Sequence, residues 1–168
     1  MKQTVLRFGL YGLVLATILF LLALAFGKGL SYNTQEIMGY ATMVASLSFV
    51  FFGIKHFRDR VNNGSVSFGK ALLIGVLISA MVGVGIGIAD YIYTTVINPD
   101  FSEEFLKTSI SNLEKTYSGA ELEAKKQEMT DYMQNYGGSG FLAFVMFATV
   151  VVIGFILSLI SALILQRK

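Results

Sequence analysis

The chain has 168 residues, of which 54% are hydrophobic, with one proline, no cysteine and a formal net charge of +2. Such an apolar composition is unusual for a soluble domain, and the absence of cysteine excludes disulfides, thiolate metal ligands and cysteine nucleophiles. The small net charge does not indicate a polyanionic partner, and we expect no nucleic acid to bind.

Four stretches without a charged residue are each long enough to cross a membrane as a helix. The hydrocarbon core of a bilayer is about 30 Å thick and takes roughly 20 helical residues. Lipid offers no partner to an open backbone, so each crossing must be helical. We predict an all-α membrane protein with a single membrane domain over residues 1–168 and transmembrane helices at about 8–27, 37–54, 70–95 and 141–165.

The distribution of charge predicts the orientation of the chain. Eight of the thirteen basic residues lie at the two chain ends or in the loop between the second and third helices. Eight of the eleven acidic residues lie between residues 100 and 131. By the positive-inside rule both termini are cytoplasmic and the acidic loop is external. An alternative, that the first helix is a signal peptide cleaved after residues 23–25, leaves this orientation unchanged.

The third predicted helix carries three glycines at alternate positions, followed by Asp90. Their spacing is G-x-G-x-G inside an apolar stretch, which does not match the phosphate-binding turn of a dinucleotide site. Small residues instead recur every four positions and form a ridge along one helix face, which allows close helix packing in lipid. The predicted packing residues are Gly75, Ser79, Gly83 and Gly87, facing Gly154 and Ser158 of the fourth helix, with Gly12 and Ala16 of the first helix as a further contact.

Two other functions stay open for this ridge, since it is also suited to lining a pore or to joining copies in a homo-oligomer. Asp90 is the acidic residue nearest to an apolar span and is therefore a candidate ion site. Tyr91 and Tyr93 follow it, and because tyrosines favour the headgroup level we expect Asp90 at the external interface. Lys28, on the same side, is its nearest candidate partner.

The loop between the second and third helices is strongly basic. Lys55, Arg58, Arg60 and Lys70 lie at the predicted cytoplasmic boundary, where each cation near anionic lipid contributes around 1 kcal/mol. We interpret them as contacts to anionic headgroups of membrane lipid, with a phosphate-bearing ligand or a cytoplasmic protein as the alternative. His56 has no neighbouring cysteine or acidic cluster, so we expect no metal there and a side chain facing the headgroups.

Several positions of this loop form a pattern with specific spacing. They are Gly53, Lys55, Phe57-Arg58-Asp59, Gly64 and Ser67-Phe68-Gly69-Lys70-Ala71, followed after the third helix by Asn98-Pro99-Asp100. In this pattern, and in its four helices with a long charged loop before the last, the whole chain resembles the bacterial membrane family catalogued as domain of unknown function 4199. The resemblance implies a bacterial inner-membrane protein and no particular activity.

The acidic loop is predicted to be an external amphipathic helical hairpin over about 101–136. Apolar residues recur at helical spacing in both halves, which places the two helices at about 101–117 and 120–135. Asp100 and Ser118 each precede a glutamate by three residues and are predicted N-caps. The apolar stripe has three possible places: closed on itself, on the outer leaflet, or against a protein partner.

These features favour a non-enzymatic membrane protein that acts through interaction. With one histidine, no cysteine and no paired intramembrane acids, we expect no catalytic residues, no metal and no cofactor. The alternative is a small oligomeric transporter or channel with Asp90 as its ion site.

Overall fold

The structure of the chain, a computed structural model, describes residues 1–27, 29–30 and 32–167. These residues are almost entirely helical, and the π-helical turns Phe57–Val61 and Tyr93–Ile97 continue the second and third helices. The α-helices are α1 (Lys2–Gly27), α2 (Tyr32–His56), α3 (Phe68–Ile92), α4 (Phe101–Thr116), α5 (Gly119–Tyr136) and α6 (Ser139–Leu165). Four of these helices, α1, α2, α3 and α6, are long and apolar enough to cross a membrane. The predicted all-helical class with four such helices is confirmed.

Helix α3 lies at the centre of the four long helices. It contacts α1, α2 and α6, and its interface with α6 is the most extensive. In the most apolar part of α3, 56% of the residues are buried, against 17% in α6 and 22% in α1. The branched side chains Ile74, Ile78, Val82 and Ile86 recur along α3 and are fully buried. The buried residues of α3 are as apolar as the outward-facing residues of the other long helices. Hydropathy alone therefore does not show that α3 is the central helix.

The outer faces of the long helices are apolar. Val14 and Ile18 of α1 and Ile160 and Leu163 of α6 are about half exposed or more. In water such a continuous apolar surface would cause aggregation, whereas in a bilayer it contacts lipid chains. The small residues of α1 lie on its opposite, inward face, where Gly9, Gly12 and Ala16 are buried. The surface is therefore suited to a membrane.

The helices begin earlier than the charge-free stretches predict. Helix α1 begins at Lys2 rather than at residue 8, and α2 begins at Tyr32 rather than at residue 37. Charged and polar side chains are tolerated where a helix extends past the apolar core of a membrane. The charge-free stretches therefore show which part of each helix can lie in the core, and not where the helix begins. At its other end, α2 continues past the predicted residue 54 to His56, and the π-helical turn Phe57–Val61 extends it into the basic loop.

Helices α4 and α5 lie where the sequence predicts the two helices of the hairpin, and they contact each other. An ion pair joins them, with Lys126 Nζ 2.9 Å from Glu114 Oε1. The predicted capping boxes are wrong in detail, because Asp100 and Ser118 occupy the N-cap positions but neither side chain makes a capping hydrogen bond. The turn instead depends on Gly119, whose φ of 63° lies in the left-handed region that glycine tolerates.

Candidate functional site

Helices α3 and α6 meet through reciprocal small residues. A side chain at Gly75 would collide with Ser158, and one at Gly154 would collide with Ser79. The two serine hydroxyl oxygens lie 3.5 Å apart, and each serine also donates to the carbonyl four residues earlier in its own helix, at 2.9 Å for Ser79 and 2.6 Å for Ser158. Both hydroxyls are therefore satisfied although both residues are fully buried.

The remaining ridge residues of α3 also lie against α6. A Cβ atom at Gly83 would be 3.0 Å from the ring of Phe147, and one at Gly87 would be 3.2 Å from the carbonyl oxygen of Ala143. The structure thus brings all six predicted packing residues into one interface within the chain. A pore or a homo-oligomer built on this ridge would require α6 to leave it.

Asp90 is buried near the end of α3 that leads to the hairpin, with 7% of its surface exposed. Its Oδ2 atom is buried and has no hydrogen-bond partner among the described residues. Tyr93 and Thr94, one turn further on, are buried as well. Lys28, its predicted partner, lies outside the described residues. The sequence predicts that the Asp90 carboxylate lies at the membrane interface. The structure shows in addition that protein encloses this carboxylate.

A burial of this kind has a chemical consequence. A carboxylate oxygen without a partner costs free energy in a low-dielectric interior, and acidic residues within membrane spans are typical sites for a proton or a cation. Tyr93 also lines a cavity of about 420 Å³ between the loop after α1 and the first turns of α4. In this cavity Glu104 accepts a 2.8 Å hydrogen bond from Asn98. The hairpin end of the molecule therefore has an open space one helical turn from Asp90.

The four basic residues predicted to contact lipid do not form a single cluster. Arg58 donates two hydrogen bonds to Asp59, at 2.6 and 3.1 Å. Lys70 lies with its Nζ 5.9 Å from the centre of the Phe57 ring. Lys55 and Arg60 are exposed. The charge of Arg58 is thus partly compensated by Asp59. Lys70 instead lies near an aromatic ring, and Lys55 and Arg60 face outward.

Arg167, which no sequence motif marks as a site residue, also lies in this region. Its backbone forms an antiparallel bridge with Val66, with two N–H to O hydrogen bonds of 2.9 Å each. Beside the bridge, Lys70 and Arg167 line a cavity of about 640 Å³. No sequence signal could have found this pairing, because about a hundred positions separate its two sides and neither segment has strand periodicity.

The side chain of His56, which the sequence predicts to face the headgroups, lies partly against α1. It is half-buried, with its ring 5.2 Å from the ring of Phe8 on α1. Its Nδ1 atom is buried without a hydrogen-bond partner among the described residues. Packing between α1 and α2 thus covers part of the ring through the aromatic contact with Phe8.

The hairpin is held to the long helices at its base. Phe101 packs edge-to-face on Tyr93 with ring centres 5.8 Å apart, and Ser102 Oγ donates to the Gly137 carbonyl at 2.7 Å. Beyond the base, α4 has no buried residue, and Met133 is the buried residue of α5. Both helices therefore present most of their surface away from the long helices.

The apolar stripes of α4 and α5 face each other across an incompletely filled cavity of about 430 Å³. At its side the hydrogen bond from Lys126 to Glu114 raises the pKa of the lysine amine above its ordinary value. The ion pair therefore contributes to stability below the ordinary pKa of lysine and is lost as the pH rises through the raised one. The stripes of the two helices thus lie partly against each other, and the outer leaflet and a protein partner stay open as further contacts of the stripe.

The match to a family model covers nearly the whole chain. A model described as a protein of unknown function (DUF4199) matches residues 7–167. The chain belongs to the DUF4199 family. No curated protein and no solved structure gives a significant match. The resemblance noted in the sequence is thus confirmed for this DUF4199 protein, and the description of the family names no activity.

Within the part of the chain that the structure describes, no group of three or more His, Cys, Asp or Glu residues could hold a metal ion. The features of this DUF4199 protein that are suited to a function are therefore three: the hairpin, the buried Asp90, and the cavity beside the bridge between Val66 and Arg167.

Proposed function

We propose that this protein is a non-enzymatic integral protein of the bacterial inner membrane that acts through contact with another protein. Both termini face the cytoplasm, and the α4–α5 hairpin is external and forms the contact surface. The observation that supports this most is that, besides the contacts of Phe101 and Ser102 at the base of the hairpin, α4 has no buried residue and α5 has one, Met133, among the described residues. A two-helix element whose surface is not used to cover the long helices is available to a partner.

The proposal predicts that the hairpin can be removed without dismantling the rest of the protein. The ends of α3 and α6 are close together, since Ser139 Oγ lies 3.4 Å from the carbonyl oxygen of Thr94. A short Gly-Ser linker in place of residues 101–136 therefore spans the gap without strain. We expect the linker variant to insert into the membrane and to lose the partner.

The partner is identified by photocrosslinking in cells. A photoreactive residue at Ser111, exposed on α4, is compared with one at Leu163, exposed on the apolar face of α6. We expect a protein adduct from Ser111 and lipid adducts alone from Leu163. The same protein must be missing from the purified linker variant. If it still co-purifies when residues 101–136 are replaced, the hairpin is not the contact surface.

A second function, transport of an ion, is supported by a different observation. Asp90 is enclosed by protein, and its Oδ2 atom is without a partner among the described residues. In membrane proteins such a carboxylate is a typical site for a proton or a cation. The α3–α6 interface is closed in this structure, so transport would use the hairpin end, where a cavity of about 420 Å³ adjoins Tyr93.

Flux measurements in proteoliposomes test this alternative. Protein with Asp90→Asn is compared with the wild type and with Asp100→Asn, which removes an exposed carboxylate at the same end of α3. Transport through Asp90 predicts that Asp90→Asn abolishes a flux of protons, Na⁺ or K⁺ that Asp100→Asn retains. A wild type that passes none of these ions would reject the transporter and leave the interaction proposal untouched.

A further inference from the structure

A cavity of about 640 Å³, lined by both polar and apolar side chains, lies between the loop before α3 and the residues that follow α6. Two cationic side chains line it, Lys70 and Arg167. The polar residues Asn62, Ser65, Ser67 and Gln166 and the apolar residues Val66 and Phe68 complete the lining. The cavity therefore combines two positive charges with polar and apolar surface at one place.

The backbone around this cavity is held in place. Val66 is almost fully buried and exchanges two 2.9 Å hydrogen bonds with the backbone of Arg167. In the preceding turn, the side-chain amide of Asn62 donates to the carbonyl of Ser65 at 2.8 Å, and the Ser65 hydroxyl donates back to the Asn62 carbonyl at 3.1 Å. Two backbone hydrogen bonds thus hold the backbone of Arg167 in place beside the cavity.

The positive charge of the cavity is not neutralised from within. None of the described residues that line it is acidic. The acidic residue of the same loop, Asp59, accepts hydrogen bonds of 2.6 and 3.1 Å from Arg58 and also interacts electrostatically with Arg167, although it does not line the cavity. Lys70 and Arg167 form no ion pair with a described residue within 4 Å. The start of helix α3 at Phe68 adds to the positive potential.

We propose that this cavity binds the phosphate group of an anionic ligand. Arg167 supplies a planar guanidinium that can donate two parallel hydrogen bonds to phosphate oxygens, and Lys70 supplies a compact point charge. Two sources share this chemistry, the phosphodiester of an acidic phospholipid and free inorganic phosphate. The site lies at the ends of two candidate membrane spans, α3 and α6, beside the apolar side chains Val66 and Phe68, which favours the phospholipid.

This proposal is independent of the hairpin. It goes beyond a general attraction of the basic loop to anionic lipid, because it assigns one pocket and two of its cations. Lys55 and Arg60 carry the same total charge as Lys70 and Arg167 and lie in or beside the same basic loop, but neither of them lines the cavity. These two pairs of cations therefore form a matched comparison, since each double substitution removes the same charge from the same end of the molecule.

The test uses the full chain purified in detergent and titrated with phosphatidylglycerol or phosphatidylcholine, with bound lipid counted by native mass spectrometry. The variant Lys70→Gln with Arg167→Gln is compared with Lys55→Gln with Arg60→Gln. The bridge uses only the backbone of Arg167, so its substitution leaves the bridge intact, and circular dichroism verifies that both variants fold. We expect about a tenfold loss of phosphatidylglycerol binding in the first variant and less than about a threefold loss in the second.

Competition with inorganic phosphate distinguishes the two sources. If phosphate displaces phosphatidylglycerol at millimolar concentration, the ligand is free phosphate, and if it does not, the ligand is the phospholipid headgroup. Equal losses in the two double variants would overturn the proposal, because binding would then depend on total charge and not on the cavity. Unchanged binding in the first variant would overturn it as well.

Discussion

At Gly85 the backbones of α1 and α3 lie in direct contact. A Cβ atom at this position would be 2.5 Å from the carbonyl oxygen of Leu13, a distance that real Cβ atoms do not reach. The hydroxyl of Thr17 lies beside the same contact, 2.9 Å from the Leu13 carbonyl oxygen and 3.1 Å from that of Gly85. In lipid, where apolar surface alone does not hold helices together, this close approach is a main source of affinity between them.

The contact predicts a strong effect from a single methyl group. Gly85→Ala places its Cβ against a main-chain atom that cannot rotate away, so we expect α1 and α3 to separate slightly at a cost of about 1–3 kcal/mol. The measurement is unfolding of the detergent-solubilised protein by sodium dodecyl sulfate, followed by circular dichroism.

The matched control is Gly69→Ala, also in α3, where no atom lies within 4 Å of the added Cβ. Alanine has the higher helix propensity, so this variant is expected to gain up to about 1 kcal/mol. A loss of stability that is equal in the two variants would show that backbone contact at Gly85 is not the cause.

At the scale of elements, the hairpin differs from the four long helices in how it is held. Helices α1, α2, α3 and α6 are packed along their length, whereas α4 and α5 contact mainly each other. The sequence predicted both hairpin helices from their apolar spacing, and the structure bears out their existence and type. Only the tertiary structure shows that the two helices pack mainly on each other, because a period of 3.6 residues defines an apolar face but not the surface that covers it.

The base of the hairpin predicts a measurable loosening. Phe101→Ala removes the ring that packs on Tyr93, a pair that contributes about 0.5–1.5 kcal/mol beyond its buried area. We expect amide hydrogen exchange in the first turns of α4 to rise several-fold, while exchange in α3 up to Ile86 stays unchanged. Hydrogen exchange with peptide-level mass spectrometry measures both.

A matched aromatic control is Phe26→Ala in α1, since Phe26 is 74% exposed at the same end of the molecule. Exchange in α4 should not respond to it. Unaltered exchange after loss of the Phe101 ring would mean that the hydrogen bond from Ser102 to Gly137 is sufficient to hold the base.

At the scale of the whole molecule, the two ends of the long helices have different chemistry. One end carries the basic loop and the bridge between Val66 and Arg167, and the other carries the acidic hairpin and the cavity of about 420 Å³. The positive-inside rule relates this asymmetry to orientation, since basic residues in short loops are retained in the cytoplasm. The proposed orientation therefore rests on charge, to which the packing of the helices adds nothing.

Labelling with a membrane-impermeant maleimide tests the orientation. The chain has no cysteine, so a single introduced cysteine is the only reactive thiol. Ser111→Cys on the hairpin and Arg60→Cys in the basic loop both replace exposed residues. We expect Ser111→Cys to react in intact spheroplasts and Arg60→Cys to react only after the membrane is opened. The reverse pattern would invert the proposed topology.

By itself the sequence determined the number and approximate extent of the apolar helices, the existence of the two hairpin helices, and the family to which the chain belongs. These properties are local, because hydropathy, helical periodicity and the need to satisfy backbone hydrogen bonds act over about 20 neighbouring residues. Only the tertiary structure decided that Asp90 is enclosed, that Leu13 meets Gly85, and that Val66 pairs with Arg167. Each of these depends on which distant segments come into contact, and the burial, close approach and pairing of a residue are set by those neighbours rather than by its own position in the chain.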